Sequence, residues 1–67
     1  MIPYKTGDID PFGNIVLRNK GPVYLWKSPS GYYKIYLYVE DALGLNTVRK
    51  DRKTADAFFN SVCDMLP

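Results

Sequence analysis

The 67-residue chain has no histidine and a single cysteine, Cys63. Without histidine, the usual general base near neutral pH and the commonest metal ligand are both missing. One cysteine excludes an internal disulfide, and a structural zinc site needs more than one thiolate when histidine is absent. Net charge is small as well. Nine Lys and Arg against seven Asp and Glu leave +2, a bias too small to imply a polyanionic partner by itself. No apolar run approaches the roughly 20 residues of a membrane-spanning helix. The opening Met1-Ile2-Pro3-Tyr4-Lys5 lacks the basic region and apolar stretch of a signal peptide. Gly44-Leu45-Asn46-Thr47 lacks the lysine and the spacing of a phosphate loop. Asp8 and Asp10 read as turn residues rather than as a metal-binding pair. These absences lead to the expectation of a non-enzyme without cofactor or metal, off the membrane, and cytoplasmic, where a lone thiol stays reduced.

Aromatic residues are what the chain has in abundance: six tyrosines, three phenylalanines and one tryptophan. At this length only about 60% of the unfolded surface is buried. The 46% apolar content must therefore support one small domain over residues 1–67 without a staple. Residues 1–13 read as an irregular arm, punctuated by Pro3, Gly7, Pro11 and Gly13. Ile2, Tyr4, Ile9 and Phe12 give that arm something to bury.

A β-meander follows over residues 14–50, including its connector. Strands are expected at Asn14 to Arg18, Pro22 to Ser28 and Tyr32 to Val39. The turns between them are Asn19-Lys20-Gly21 and Pro29-Ser30-Gly31, each ending in glycine, which accepts positive φ. Read with period two, the third strand has two characters. Tyr33, Ile35, Leu37 and Val39 suit a core, whereas Tyr32, Lys34, Tyr36 and Tyr38 form a tyrosine-lysine face. A three-residue loop at 29–31 pairs Leu25 with Ile35, Val23 with Leu37, Tyr24 with Tyr36 and Trp26 with Lys34, so each face keeps its character. The same rule at the first turn pairs Leu17 with Val23, Ile15 with Leu25 and Val16 with Tyr24. Glu40 to Asn46 reads as a connector with Gly44 as its turn, and Thr47 to Lys50 as a short edge strand. Residues 51–66 form an amphipathic helix whose stripe is Ala55, Phe59 and Val62 with Phe58 and Leu66. Thr54 is the expected N-cap, with Asp51 competing. The fold class is α+β: a three- to four-stranded antiparallel meander with one C-terminal helix on its aliphatic face. Cys63 reads as a small residue at the core boundary.

Two features can carry binding. One is the face of Tyr24, Trp26, Tyr32, Lys34, Tyr36 and Tyr38, whose rings can stack on bases or anchor a protein interface. Cover of this face by Ile2, Tyr4, Ile9 and Phe12 of the arm is the competing reading. The other feature is Arg49, Lys50, Arg52 and Lys53 beside the helix N-terminus, where an anion can sit. The hairpin Ser28-Pro29-Ser30-Gly31-Tyr32-Tyr33-Lys34-Ile35-Tyr36, the basic segment from Arg49 to Lys53, and Thr54-Ala55-Asp56-Ala57-Phe58 resemble the three-stranded-sheet DNA-binding domains of AP2-type factors and integrase arm-binding modules. Such domains read DNA with the sheet and pack the helix behind it. The resemblance implies Trp26, Lys34, Arg49 and Arg52 as contacts. Asp56 and Ala57 stand one residue early for that pattern, and tyrosines stand where those families carry mostly arginine and tryptophan. The expected function is a small binding protein for nucleic acid, as a monomer or small homo-oligomer. The alternative is a phage- or mobile-element-type inhibitor, anti-CRISPR-like, that binds a host protein through the same aromatic surface.

Overall fold

A computed structural model describes residues 4–39 and 42–65. Four strands, β1 (Ile15–Lys20), β2 (Val23–Lys27), β3 (Tyr33–Val39) and β4 (Ala42–Arg49), form one antiparallel sheet in the order β1-β2-β3-β4. A single helix, α1 (Arg52–Met65), packs across β2 and β3 and reaches β4. The expected α+β meander with one C-terminal helix is what the chain adopts, with four strands.

The β2–β3 hairpin has the register that its turn and its face pattern both demand. Leu25 faces Ile35, Val23 faces Leu37, Tyr24 faces Tyr36 and Trp26 faces Lys34. The Gly31 amide donates to the Ser28 carbonyl at 3.0 Å, and the Ser28 amide donates to the Tyr32 carbonyl at 2.8 Å. Pro29 supplies the fixed φ that the first loop position needs. Gly31 closes the loop at φ +92°, in the left-handed region that glycine enters without strain.

The first turn departs from expectation. Lys20 faces Val23, Asn19 faces Tyr24 and Arg18 faces Leu25. The loop is therefore the two residues Gly21-Pro22, with β1 running on through Asn19 and Lys20. Gly21 has φ +58°, as required at the first central position of the mirror-image hairpin turns that match strand twist. The different turn moves β1 by three residues against β2, and an extra residue at Leu17 reduces this to two, which restores the faces though not the expected pairs. Val16 faces Trp26 and Ile15 faces Lys27 on the far side of that bulge. Leu17 packs against the core under the helix, and the Arg18 guanidinium lies 4.4 Å over the Phe59 ring. The pairs Leu17–Val23, Ile15–Leu25 and Val16–Tyr24 are thus replaced, although the aliphatic and aromatic sides stay separate.

The segment expected as a connector is mostly strand. β4 begins at Ala42 and is eight residues long. Leu37 faces Leu45 and Tyr38 faces Leu43, so Gly44 is the extra residue of a second bulge rather than a turn. Glu40 and Asp41 lie outside the described residues.

Val23, Leu25 and Ile35 from the sheet and Ala55, Phe59 and Val62 from α1 form the main core. Phe58 and Cys63 flank it, whereas Met65 is exposed. Leu66 lies outside the described residues. The helix cap is Asp51, not Thr54. Its carboxylate accepts from the Thr54 amide at 2.9 Å and from the Thr54 hydroxyl at 3.0 Å, while its carbonyl takes the first helical bond from Ala55. Thr54 sits one turn in, as the third helical residue. These bonds from Thr54, backbone first, hold the Asp51 carboxyl below the ordinary aspartate value. Asp56 pairs with Arg52 at 3.0 Å and Arg18 at 3.3 Å.

Phe59 is the largest fully buried side chain. Phe59→Ala should cost about 3–5 kcal/mol, a large share of the roughly 5–15 kcal/mol available to a domain. Urea unfolding followed by circular dichroism should show the variant largely unfolded in water. A midpoint near that of wild type would place the core elsewhere.

Candidate functional site

The side of the sheet away from α1 carries a second, smaller core. Val16, Tyr24 and Trp26 are buried in it, with Tyr4, Tyr36 and Tyr38 packed around them. Trp26 is the hub. The Tyr4 ring meets it edge-on at 5.0 Å between centroids and 77°, Tyr24 stacks at 6.2 Å and Tyr36 leans on it at 6.5 Å. Tyr38 closes the set edge-on to Tyr24 and Tyr36. Edge-to-face pairs of this kind contribute about 0.5–1.5 kcal/mol each beyond area burial. Burial raises the Tyr24 phenol, and burial followed by the neighbouring Tyr36, Tyr4, Tyr24 and Asp10 raises that of Tyr38. Both phenols are therefore neutral donors at physiological pH.

The arm covers part of this face by making a hairpin with β1. The Gly7 amide donates to Val16 O at 2.8 Å, the Val16 amide to Asp8 O at 2.9 Å and the Asp10 amide to Asn14 O at 2.9 Å, with Ile9 bridged to Ile15. Its loop, Pro11-Phe12-Gly13, repeats the design of Pro29-Ser30-Gly31. Each loop has proline first and a positive-φ glycine last. Each follows a side-chain oxygen that accepts the amide four residues on: Asp10 for Asn14 at 2.9 Å and Ser28 for Tyr32 at 3.1 Å. The two loops lie against each other. A Cβ on Gly13 would come within 3.0 Å of Pro29 Cγ, so glycine is needed there for space as well as for φ +87°.

Between these loops and the tyrosines runs a groove of 610 Å³. Trp26, Tyr36 and Tyr38 form its floor and Tyr4 borders it. Phe12, Pro29, Ser30 and Tyr32 form the wall at the loop end, and Asn14, Ser28, Asp10 and Lys34 supply the polar atoms. Two rings of the wall face solvent: Phe12 is 83% and Tyr32 41% exposed. Trp26 itself is only 2% exposed, and its Nε1–H has no acceptor among the described residues. Asp10 is held by three bonds, from the Phe12 amide, the Asn14 amide and Asn14 Nδ2, each 2.9 Å. Burial pushes its carboxyl up. Those bonds, with the Lys34 charge, outweigh burial and leave it below the ordinary aspartate value.

The two expected binding features lie on opposite sides of the sheet. Tyr24, Trp26, Tyr32, Lys34, Tyr36 and Tyr38 belong to the groove side; Trp26 is buried in its floor, and Tyr24 is buried beside it without lining the groove. Arg49 faces Tyr33 on the helix side. Its guanidinium lies 4.8 Å over Phe58 and donates to Thr47 Oγ1 and Val48 O. Arg52 is paired with Asp56, and Lys50 and Lys53 are exposed at the start of α1. The carboxylate of Asp51 occupies the helix N-terminus that an external anion would need. Lys34 makes no cation–π contact with Trp26; those found among the described residues are Arg18 on Phe59, Lys27 on Tyr33 and Arg49 on Phe58. Tyr4 does cover the tyrosine face, as one reading of the arm anticipated. Ile9 and Phe12 instead point to solvent, and Ile2 lies outside the described residues. Asp10, Asn14 and Pro29 are groove residues that the period-two pattern does not reveal, although Asp10-Pro11-Phe12-Gly13 carries its own turn signature. Among the described residues no group of three or more Cys, Asp or Glu is placed to hold a metal, and no helix is long and apolar enough to cross a membrane.

No family model, curated protein or solved structure matches this chain.

The Asp10 knot should give the groove wall an acid limb. Its folded-state pKa is depressed, so its stabilisation is present above the unfolded value and lost as pH falls through the folded one. Urea unfolding from about pH 6 to about pH 2 should show stability falling at the acid end. Asp10→Asn should flatten that fall in part, since Asp51 shares its direction. An unchanged acid limb in the variant would contradict the assignment.

Proposed function

We propose that this chain is a non-catalytic binding protein and that the groove over its tyrosine face receives a segment of another protein. The observation that carries the reading is the separation of rings from cations. A nucleic-acid surface needs both on one side, because phosphate neutralisation supplies most of the affinity. Here Arg49 and Arg52 are engaged by Phe58 and Asp56 on the helix side and Lys53 lies on α1, while among the described residues the groove lining holds one cation, Lys34, opposed by Asp10. Tyrosine- and tryptophan-lined pockets with an apolar centre and a polar rim are characteristic anchors of protein interfaces. Phe12 and Tyr32 stand where a partner first touches. A protein that lodges a partner's segment in this way can act as an inhibitor by occupancy alone.

Single-stranded nucleic acid is the second reading, favoured by the exposed Tyr32 ring beside Lys34 in the groove. Stacking contributes about 1–3 kcal/mol per base. That reading also draws on the likeness to sheet-reading DNA-binding domains. Against it, Trp26 is buried, and the four contacts that the likeness implies divide between the two faces.

A random-peptide display selection on the full chain separates the readings. Enriched peptides should lose binding to Tyr32→Ala and Phe12→Ala, both solvent-facing changes, and keep it with Lys53→Ala. Their affinity should change little between about 50 and 200 mM salt. An empty selection, with oligonucleotide binding that falls by orders of magnitude over that range, would contradict the protein reading.

A further inference from the structure

The groove limits the kind of segment that can fill it, and the choice of occupant rests on the groove being a protein site, as proposed. Its floor is the middle of a sheet. Trp26 on β2 and Tyr36 on β3 have paired strands on both sides, and the outer edge of β1 is taken by residues 7–10. An occupant lying over this floor meets side chains and finds no open backbone edge to join as a strand. Phenols are prominent among the donors it meets, beside Lys34 and the polar side chains of the wall. Tyr24 spends its hydroxyl on Tyr4 O, whereas those of Tyr32, Tyr36 and Tyr38 find no acceptor among the described residues. The groove's opposed charges, Asp10 and Lys34, act on each other, which suits an occupant without net charge.

We infer that the groove takes a proline-rich segment in the polyproline II conformation. That helix has no internal hydrogen bonds, so its carbonyls project outward as free acceptors, and its proline positions bring no N–H that would need an acceptor. Apolar rings along its flanks lie on the tyrosine rings of the groove, and aromatic-lined grooves are the recurrent receptors for such segments. The phenols of Tyr36 and Tyr38 supply the donors that these carbonyls lack. A β-strand occupant lying over this floor would leave its backbone N–H and C=O row without a strand edge to pair with. An α-helix would keep its carbonyls to itself. The stiff polyproline segment also loses little conformational freedom on docking.

The test is a two-dimensional NMR titration of the full chain with three probes: a peptide of about ten residues rich in proline, a length- and charge-matched peptide without proline, and a single-stranded oligonucleotide. Saturable shifts at Phe12, Trp26, Tyr32 and Tyr36 with the proline-rich peptide, and at least about tenfold weaker binding of the proline-free one, are expected. Tyr36→Phe keeps the ring and removes the donor, and should weaken binding about three- to tenfold. Tyr32→Ala, at the solvent-facing wall, should weaken it without disturbing the spectrum of the free protein. Equal binding of the proline-free peptide would overturn the polyproline assignment and leave the groove as a protein site. Oligonucleotide binding at these residues with no response to either peptide would overturn both. No response to any probe would overturn the polyproline assignment, with the display selection then judging the groove.

Discussion

The phase of the β2–β3 hairpin is the constraint on which the rest depends. Because side chains alternate along a strand, a slip of one residue would exchange the two faces. Lys34 and Tyr36 would then lie under the helix, and Ile35 and Leu37 would face the arm. The loop Pro29-Ser30-Gly31 prevents this. Its length pairs Leu25 with Ile35 and Trp26 with Lys34 in one step. The amphipathic stripe of α1 then has one place to go, onto Val23, Leu25 and Ile35. The tyrosines are left on the opposite side, where Tyr4 covers them in part.

Where two independent signals coincide, the fold is legible before any coordinates. Turn chemistry and face pattern agree for β2 and β3, and a five-residue stripe marks the helix. Where one signal stands alone it misleads. Gly21 reads as the end of a three-residue turn, but proline after it makes Gly21-Pro22 a complete two-residue turn. The bulge at Leu17 then hides the shift, because the faces still match. Gly44 in β4 looks like a turn because glycine usually weakens strands; here it is the extra residue of a bulge. The helix cap has two candidates three residues apart, and Asp51 prevails because only its carboxylate reaches the Thr54 amide.

The site is legible in the sequence as a floor and not as a groove. Period two shows Tyr36 and Tyr38 sharing a face with Trp26, but nothing in that pattern raises walls around them. The walls come from two loops of one design, ending at Gly13 and Gly31, pressed together at Gly13 and Pro29. The first of these has the same proline-first, glycine-last signature that identifies the second. It escapes notice because the segment before it, bridged to β1 only at Ile9, is too short and polar to show a period. The basic segment illustrates the opposite limit. Arg49 to Lys53 is a contiguous charge run in the sequence, yet Arg49 and Arg52 are engaged by Phe58 and Asp56. Arg18, distant in sequence, joins them on the same helix through Asp56 and Asn60.

The tyrosine side is a floor closed at one end by Tyr4 and open at the other beside Tyr32. Nuclear Overhauser contacts in the free protein test it most directly. Strong cross-peaks from the Tyr4 ring to the Trp26 indole, and from Pro29 to Gly13, are predicted, while the Phe12 ring shows none to Trp26. Contacts that place the Phe12 ring over Trp26, or the absence of any contact between Tyr4 and Trp26, would mean that the face is differently covered. There would then be no groove of this shape for a partner to fill.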